Sequence, residues 1–228
     1  MICRRRGLLV VAVWFWSFLG VPVVALFIAC IEGVAPTVNG IMGMLSREPY
    51  LASYIEFACC GGLPLAVTLL CREDFVIYGL RREGLVKSLL LSSILAVFKI
   101  TLRLLSGGFR FVSFNLPFPL NLWYAFFGVF AYGPLEVFFV VWLIVNTDRI
   151  FGSLERMVSP GLIITVLVFG LSHVVFSPGG GLVNAISVTI TFFILGLIYK
   201  YTGNSIGPMI AWTLMNGFIP YLVIGCLT

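Results

Sequence analysis

Charge is scarce in this sequence: of its 228 residues, 10% are charged and 61% are hydrophobic. A water-soluble domain of this length carries roughly a quarter charged residues and needs a polar skin that this composition cannot supply. A soluble globule is therefore excluded. Histidine occurs once, as His173, so a catalytic zinc centre with its usual three protein ligands is not within reach of one imidazole and a nearby carboxylate. The six cysteines, Cys3, Cys30, Cys59, Cys60, Cys71 and Cys226, include no CxxC pair. That excludes a zinc-ribbon pattern and leaves them as packing residues. No clean small-x-small cleavage site follows the apolar run after Arg4-Arg5-Arg6, so this run reads as a retained first span rather than a signal peptide. Internal repeats and low-complexity tracts are also missing.

Long apolar stretches are present instead, and the mean hydropathy is +1.12. In lipid every backbone N–H and C=O must be satisfied internally, which leaves helices or a closed barrel. Barrel strands would alternate in polarity over about ten residues. These stretches are unbroken and near the ~20 residues that a ~30 Å hydrocarbon core requires of a helix. The predicted fold is therefore all-α, a polytopic transmembrane bundle of about seven (seven to eight) spans. The spans are Gly7–Ile31, Tyr50–Leu70, Leu85–Leu105, Leu120–Val145, Pro160–Phe176, Gly181–Tyr199 and Ser205–Leu227. Residues 1–228 form a single transmembrane domain, with 120–228 as its motif-bearing core. The mixed segment from Cys71 to Lys87 suits a short amphipathic helix at the interface. Ser106–Pro119, with Gly107-Gly108, Pro117 and Pro119, is an ordered loop that dips back toward the protein.

The net charge of +5 does not point to nucleic acid, because the basic residues cluster beside the apolar spans. With an internal N-terminus, the inner side receives Arg4, Arg5, Arg6, Arg72, Arg81, Arg82, Lys87, Arg149, Arg156 and Lys200, and the outer side Arg47, Lys99, Arg103 and Arg110. This asymmetry predicts a multi-pass protein with a cytoplasmic N-terminus and a lipid bilayer as its first partner.

Ionisable groups inside spans are costly and are functional candidates by default. Glu56, Lys99, Glu136 and His173 qualify, with the buried amide of Asn216 beside them. At ~1.5 Å per residue, Glu136 lies roughly 14 Å, Asn216 about 16 Å and His173 about 20 Å from the inner ends of their spans. One polar cluster at mid-membrane can satisfy all three, and a carboxylate beside an imidazole there can activate a water. The same trio can equally act as packing polar residues. Lys99 is close enough to its helix end to snorkel outward past Arg103, and Glu56 either pairs with Lys99 or stays protonated.

Three stretches around the trio, GPLEVFFVVWLIVN (Gly133–Asn146), FGLSH (Phe169–His173) and ILGLIYKYTGNSIGPMIAWTLMN (Ile194–Asn216), resemble motif regions of the CAAX protease and bacteriocin-processing family of intramembrane glutamate proteases. YGLRREGLVKSLLLS (Tyr78–Ser92) looks like that family's lead-in. The resemblance implies a cofactor-free, metal-free peptidase in which Glu136 and His173 activate a water and Asn216 steadies the oxyanion. Two positions depart from the pattern. Val137 and Val141 replace the second glutamate and the arginine of an EExxxR motif, and Trp212 stands where a histidine precedes Asn216 by four residues. An indole N–H can donate to an oxyanion but cannot shuttle a proton. The resemblance thus implies an endopeptidase acting on membrane-associated peptides or proteins, with Glu136, His173, Asn216 and Trp212 as its catalytic set. Two alternatives stand beside it. One is an inactive relative serving as a subunit or scaffold of a membrane complex, and the other is a small transporter or proton-conducting subunit.

Overall fold

The computed structural model describes residues 6–107, 113–176, 181–216 and 218–227, and every regular element among them is helical. Ten helices follow one another: α1 (Arg6–Ile31), α2 (Val38–Arg47), α3 (Tyr50–Cys59), α4 (Gly62–Leu70), α5 (Leu85–Leu105), α6 (Leu120–Phe151), α7 (Pro160–Phe176), α8 (Gly181–Thr202), α9 (Ile206–Met215) and α10 (Phe218–Leu227). Of these, α1, α5, α6 and α8 are long and apolar enough to cross a membrane. The pairs α3–α4 and α9–α10 bend by 45° and 64°, giving up to six candidate spans if each pair counts as one. The seven apolar stretches of the sequence thus all fold as helix, but two are broken and α7, at 17 residues, is shorter than a full span. Arg4, Arg5, Arg110, Cys3 and Gly108 lie outside the described residues.

At the centre stands α6. Every residue from Glu136 to Asp148 is buried, the pattern of a helix enclosed on all sides. A π-turn at Ala131–Leu135, holding Pro134, widens α6 immediately before Glu136. Proline removes a backbone donor and favours such a widening. Around α6 pack the α7–α8 hairpin, α1, α9 and α10, while α5 lies on α9 and α8. Outward faces stay apolar: Phe15, Leu19 and Phe27 on α1 and Leu90, Ile94 and Val97 on α5 are exposed, as lipid-facing side chains are.

One end of the bundle is tied by a polar network. Arg6 pairs with Glu73 at 2.8 Å and donates to Asn146 Oδ1 at 2.7 Å. The Tyr78 hydroxyl donates to Glu73 and receives Asn146 Nδ2 at 3.3 Å. Burial first, and then the bond to Glu73, raise that phenol above its ordinary value. Lys200 forms a buried ion pair with Asp148 at 2.7 Å. The Asp148 carboxylate also receives Ser153 Oγ, Ser159 Oγ and the Gly161 amide, at 2.9, 2.7 and 2.8 Å. These contacts put the start of α1, the Cys71–Lys87 segment and the α6–α7 connection at the same end of the molecule.

Three local readings change. Cys71–Lys87 holds no amphipathic helix but one 3₁₀ turn, Phe75–Tyr78, capped by Asp74. Gly79 and Gly84, at φ +80° and +70°, close off any longer helix. Helix α2 was not foreseen; Thr37 caps it by accepting the Gly40 amide, and its Met44 packs on Ala29 and Leu51. Cys71 is held in a disulfide rather than serving only as packing, whereas Cys30, Cys59, Cys60 and Cys226 are free. The 106–119 loop does return to the bundle where described: the Phe114 amide donates to the Gly225 carbonyl at 2.8 Å.

Candidate functional site

A cavity of about 1320 Å³ opens among α1, α2, α3, α5, α6, α7, α8 and α9. The four ionisable residues singled out within apolar spans line it, Glu56, Lys99, Glu136 and His173, together with Trp212 and Asn216. At ~1.5 Å per residue, Lys99, Glu136 and His173 lie roughly 20 Å from the polar ends of their helices. A shared depth on several helices is what lets one cavity collect them.

Glu136 is 5% exposed and follows the π-turn of α6. Its Oε2 receives the Trp212 indole N–H at 2.5 Å and, more weakly, Asn216 Nδ2 at 3.5 Å. Oε1 makes no hydrogen bond with the described residues, yet it is not a sealed orphan and remains on the cavity side. One oxygen is therefore fixed and the other presented. Trp212 and Asn216 reach it from α9 and from the break that follows. Asn216 has left helical geometry with ψ 115°, and it holds the kink from both sides. Its Nδ2 donates to the Tyr132 carbonyl at 2.9 Å and its Oδ1 accepts the Phe218 amide at 3.1 Å. The two residues read as oxyanion donors are thus engaged, with the carboxylate and with the backbone.

His173 sits on α7 with Nδ1 2.8 Å from the Phe169 carbonyl one turn earlier. It makes no direct hydrogen bond to Glu136 among the described residues; what joins them is the common cavity. Phe169 lies beneath the imidazole at a ring separation of 4.9 Å, and contacts Phe192, which in turn contacts Trp212. An aromatic wall therefore runs from the histidine to the indole. Val137 and Val141, each 2% exposed, point into the apolar core. The missing glutamate and arginine are replaced by packing, not by other polar groups at those positions.

Two residues read as secondary are part of the site. Glu56 forms no ion pair with Lys99; it lines the cavity together with Cys60 and Glu136. A carboxylate within an apolar run was its only sequence signal. Lys99 does not snorkel outward. It turns into the cavity, and its Nζ donates to Ser187 Oγ at 2.7 Å. Ser187 itself gave no signal, since a lone serine in an apolar helix usually bonds its own backbone. Among the described residues no three His, Cys, Asp or Glu side chains converge as metal ligands.

Compared with known proteins, the chain matches no family model, no curated protein and no solved structure.

Proposed function

We propose that this chain is a membrane-embedded peptidase, hydrolysing peptide bonds of membrane-associated proteins with a water activated by Glu136. The observation that carries this reading is the split environment of the Glu136 carboxylate. Trp212 and Asn216 hold Oε2, while Oε1, without a hydrogen bond among the described residues, belongs to a side chain lining the cavity that His173 also lines. A general base has to be aimed and left with one free lone pair, and this arrangement provides both. In the proposed reaction Oε1 takes a proton from water as the water adds to the scissile carbonyl. Protonation weakens the hold on the Trp212 N–H, which then becomes available to the developing oxyanion. The proton held on Oε1 then passes through a cavity water and the His173 imidazole to the departing amine, which restores the Glu136 carboxylate and leaves His173 as it began. The finer topology belongs to the same proposal: seven spans, a cytoplasmic N-terminus, and the polar network at the cytoplasmic end.

A second reading, a catalytically silent subunit of a membrane complex, draws support from two observations. Glu136 and His173 share no direct hydrogen bond, and the Asn216 amide is spent on the helix break. Cleavage of a transmembrane peptide by purified wild type, Glu136→Gln, His173→Ala and Trp212→His decides between them. Glu136→Gln keeps the shape and removes the base, so the peptidase loses ~10²–10⁴-fold in rate, while Trp212→His retains or gains activity. A Gln variant cleaving at the wild-type rate would leave Glu136 a structural residue.

A further inference from the structure

The cavity contains a second reactive geometry, on the side formed by α5 and α8. Lys99 Nζ and Ser187 Oγ meet across these helices at 2.7 Å, and both line the cavity. The other hydroxyls nearby behave differently. Thr189, Thr191, Thr202 and Thr213 each fold back to donate to the carbonyl four residues earlier, the usual fate of a helix hydroxyl in an apolar setting. Ser187 does not. Its Oγ accepts a hydrogen bond from Lys99 Nζ, and no hydrogen bond donated by the Ser187 hydroxyl is found among the described residues. Lys99 in turn has no carboxylate within ion-pair distance among the described residues. Arg103 stands one turn further along α5 and lines the same cavity. A half-buried lysine near another cation and against a hydroxyl is an arrangement that enzymes use to activate a serine. Asn184 lies one turn before Ser187 and lines the same cavity, which provides an amide next to the place where an oxyanion would form.

We propose that Ser187 and Lys99 form a nucleophile–base pair for acyl transfer, acting on carboxylic esters of long acyl chains. Ester substrates are favoured because their leaving alcohol needs less proton assistance than an amine. A long acyl chain is favoured because much of the cavity lining is apolar, with Val21, Ala25, Leu45, Leu102 and Val175 among it. In the first step the Ser187 Oγ–H bond breaks as Oγ adds to the ester carbonyl, and the proton passes to the neutral Lys99 amine. Collapse of the tetrahedral adduct expels the alkoxide, which takes that proton and leaves as alcohol, giving acyl-Ser187. Water then adds to the acyl carbonyl with Lys99 again accepting the proton, and the carboxylic acid leaves as Oγ recovers its hydrogen. No co-reactant beyond water is needed.

The pair is independent of Glu136, so the two proposals fail separately. The test uses the full chain in detergent micelles, with a long-chain alkyl fluorophosphonate as probe and p-nitrophenyl esters as substrates. Wild type should form one adduct, located at Ser187 by peptide mass mapping, and hydrolyse p-nitrophenyl palmitate. Ser187→Ala should lose both the adduct and ~10²-fold or more of the hydrolysis. Lys99→Arg keeps a cation on α5 but cannot act as the base, and it should lose labelling to a similar degree. Glu136→Gln should label as wild type does. Adduct mapping on the wild type does not depend on how any variant folds. Folded wild type, judged by a cooperative thermal transition, that forms no adduct at Ser187 would overturn the proposal, and so would Ser187→Ala or Lys99→Arg reacting at the wild-type rate.

Discussion

The indole of Trp212 donates its N–H to Oε2 of Glu136 at 2.5 Å, joining α9 to the residue that follows the π-turn of α6. A carboxylate this deep has few ways of being satisfied, and here one aromatic donor provides most of what it receives. Removing that donor strands a buried acceptor, at a cost of ~1–3 kcal/mol. Trp212→Phe, which keeps the bulk against Phe192, should therefore unfold at lower denaturant or temperature by that amount. Trp212→His should recover part of the loss. Equal stability of the Phe variant and wild type would mean that the carboxylate is held by something else.

The Asp148–Lys200 pair makes a sharper stability prediction. Both side chains are almost fully buried, Asp148 0% and Lys200 6% exposed, and Asp148 accepts three further hydrogen bonds. Lys200→Met leaves an unpaired buried charge and should cost ~3–5 kcal/mol, whereas the double variant Lys200→Met, Asp148→Leu should lose less than the sum of the two single changes. Chemical unfolding in micelles gives the cycle directly. Additive losses would show that the two side chains do not interact.

Gly161 lies where α7 begins and crosses α6. A Cβ there would approach the Ile144 carbonyl to 2.5 Å and Asp148 Oδ1 to 2.6 Å. Backbone cannot yield as a flexible side chain can, so Gly161→Ala should force α7 off its seat and cost ~1–3 kcal/mol, visible as a lower midpoint of unfolding. An alanine variant as stable as wild type would contradict the close helix approach.

For topology, the Arg6–Asn146, Arg6–Glu73 and Tyr78–Asn146 contacts require the Cys71–Lys87 and Asn146–Ser159 segments to share one side. Single cysteines introduced at Glu83 and at Glu155 in a cysteine-free background should react with an impermeant maleimide from the same face of sealed vesicles, the cytoplasmic one by the distribution of basic residues. Labelling from opposite faces would break the bundle described above.

Much of the architecture was legible because lipid imposes a simple code. Long apolar runs had to be helices, and α5 falls on Leu85–Leu105 as read from hydropathy alone. What hydropathy could not register were the breaks at Cys60 and Asn216, since both sit inside continuous apolar sequence and depend on how the helices pack. It also missed α2, whose alternation of glycines and apolar residues gave no span-length signal. The shared depth of Glu136 and His173 was readable by counting residues, because rise per residue is fixed. Azimuth was not. Which way Lys99 turned depended on α8 offering a hydroxyl at the same level, a tertiary fact with no trace in the local sequence. Trp212 shows the same limit: the sequence named it as a hydrogen-bond donor, but which acceptor it would find was decided by the packing of α9 on α6.

The π-turn at Ala131–Leu135 acts as a phase shifter within α6. A wide turn inserts one residue into the helical count, and each residue advances a helix by about 100°. The Leu120–Phe130 half can therefore keep its contacts with α10 while the half beginning at Glu136 meets the indole of α9 and the rings of α7. The two halves of one continuous helix are thus free to vary separately in sequence, each answering to its own neighbours. The number of residues between Phe130 and Glu136 is not free, because inserting one there would turn the carboxylate out of its cavity even with every lining residue unchanged.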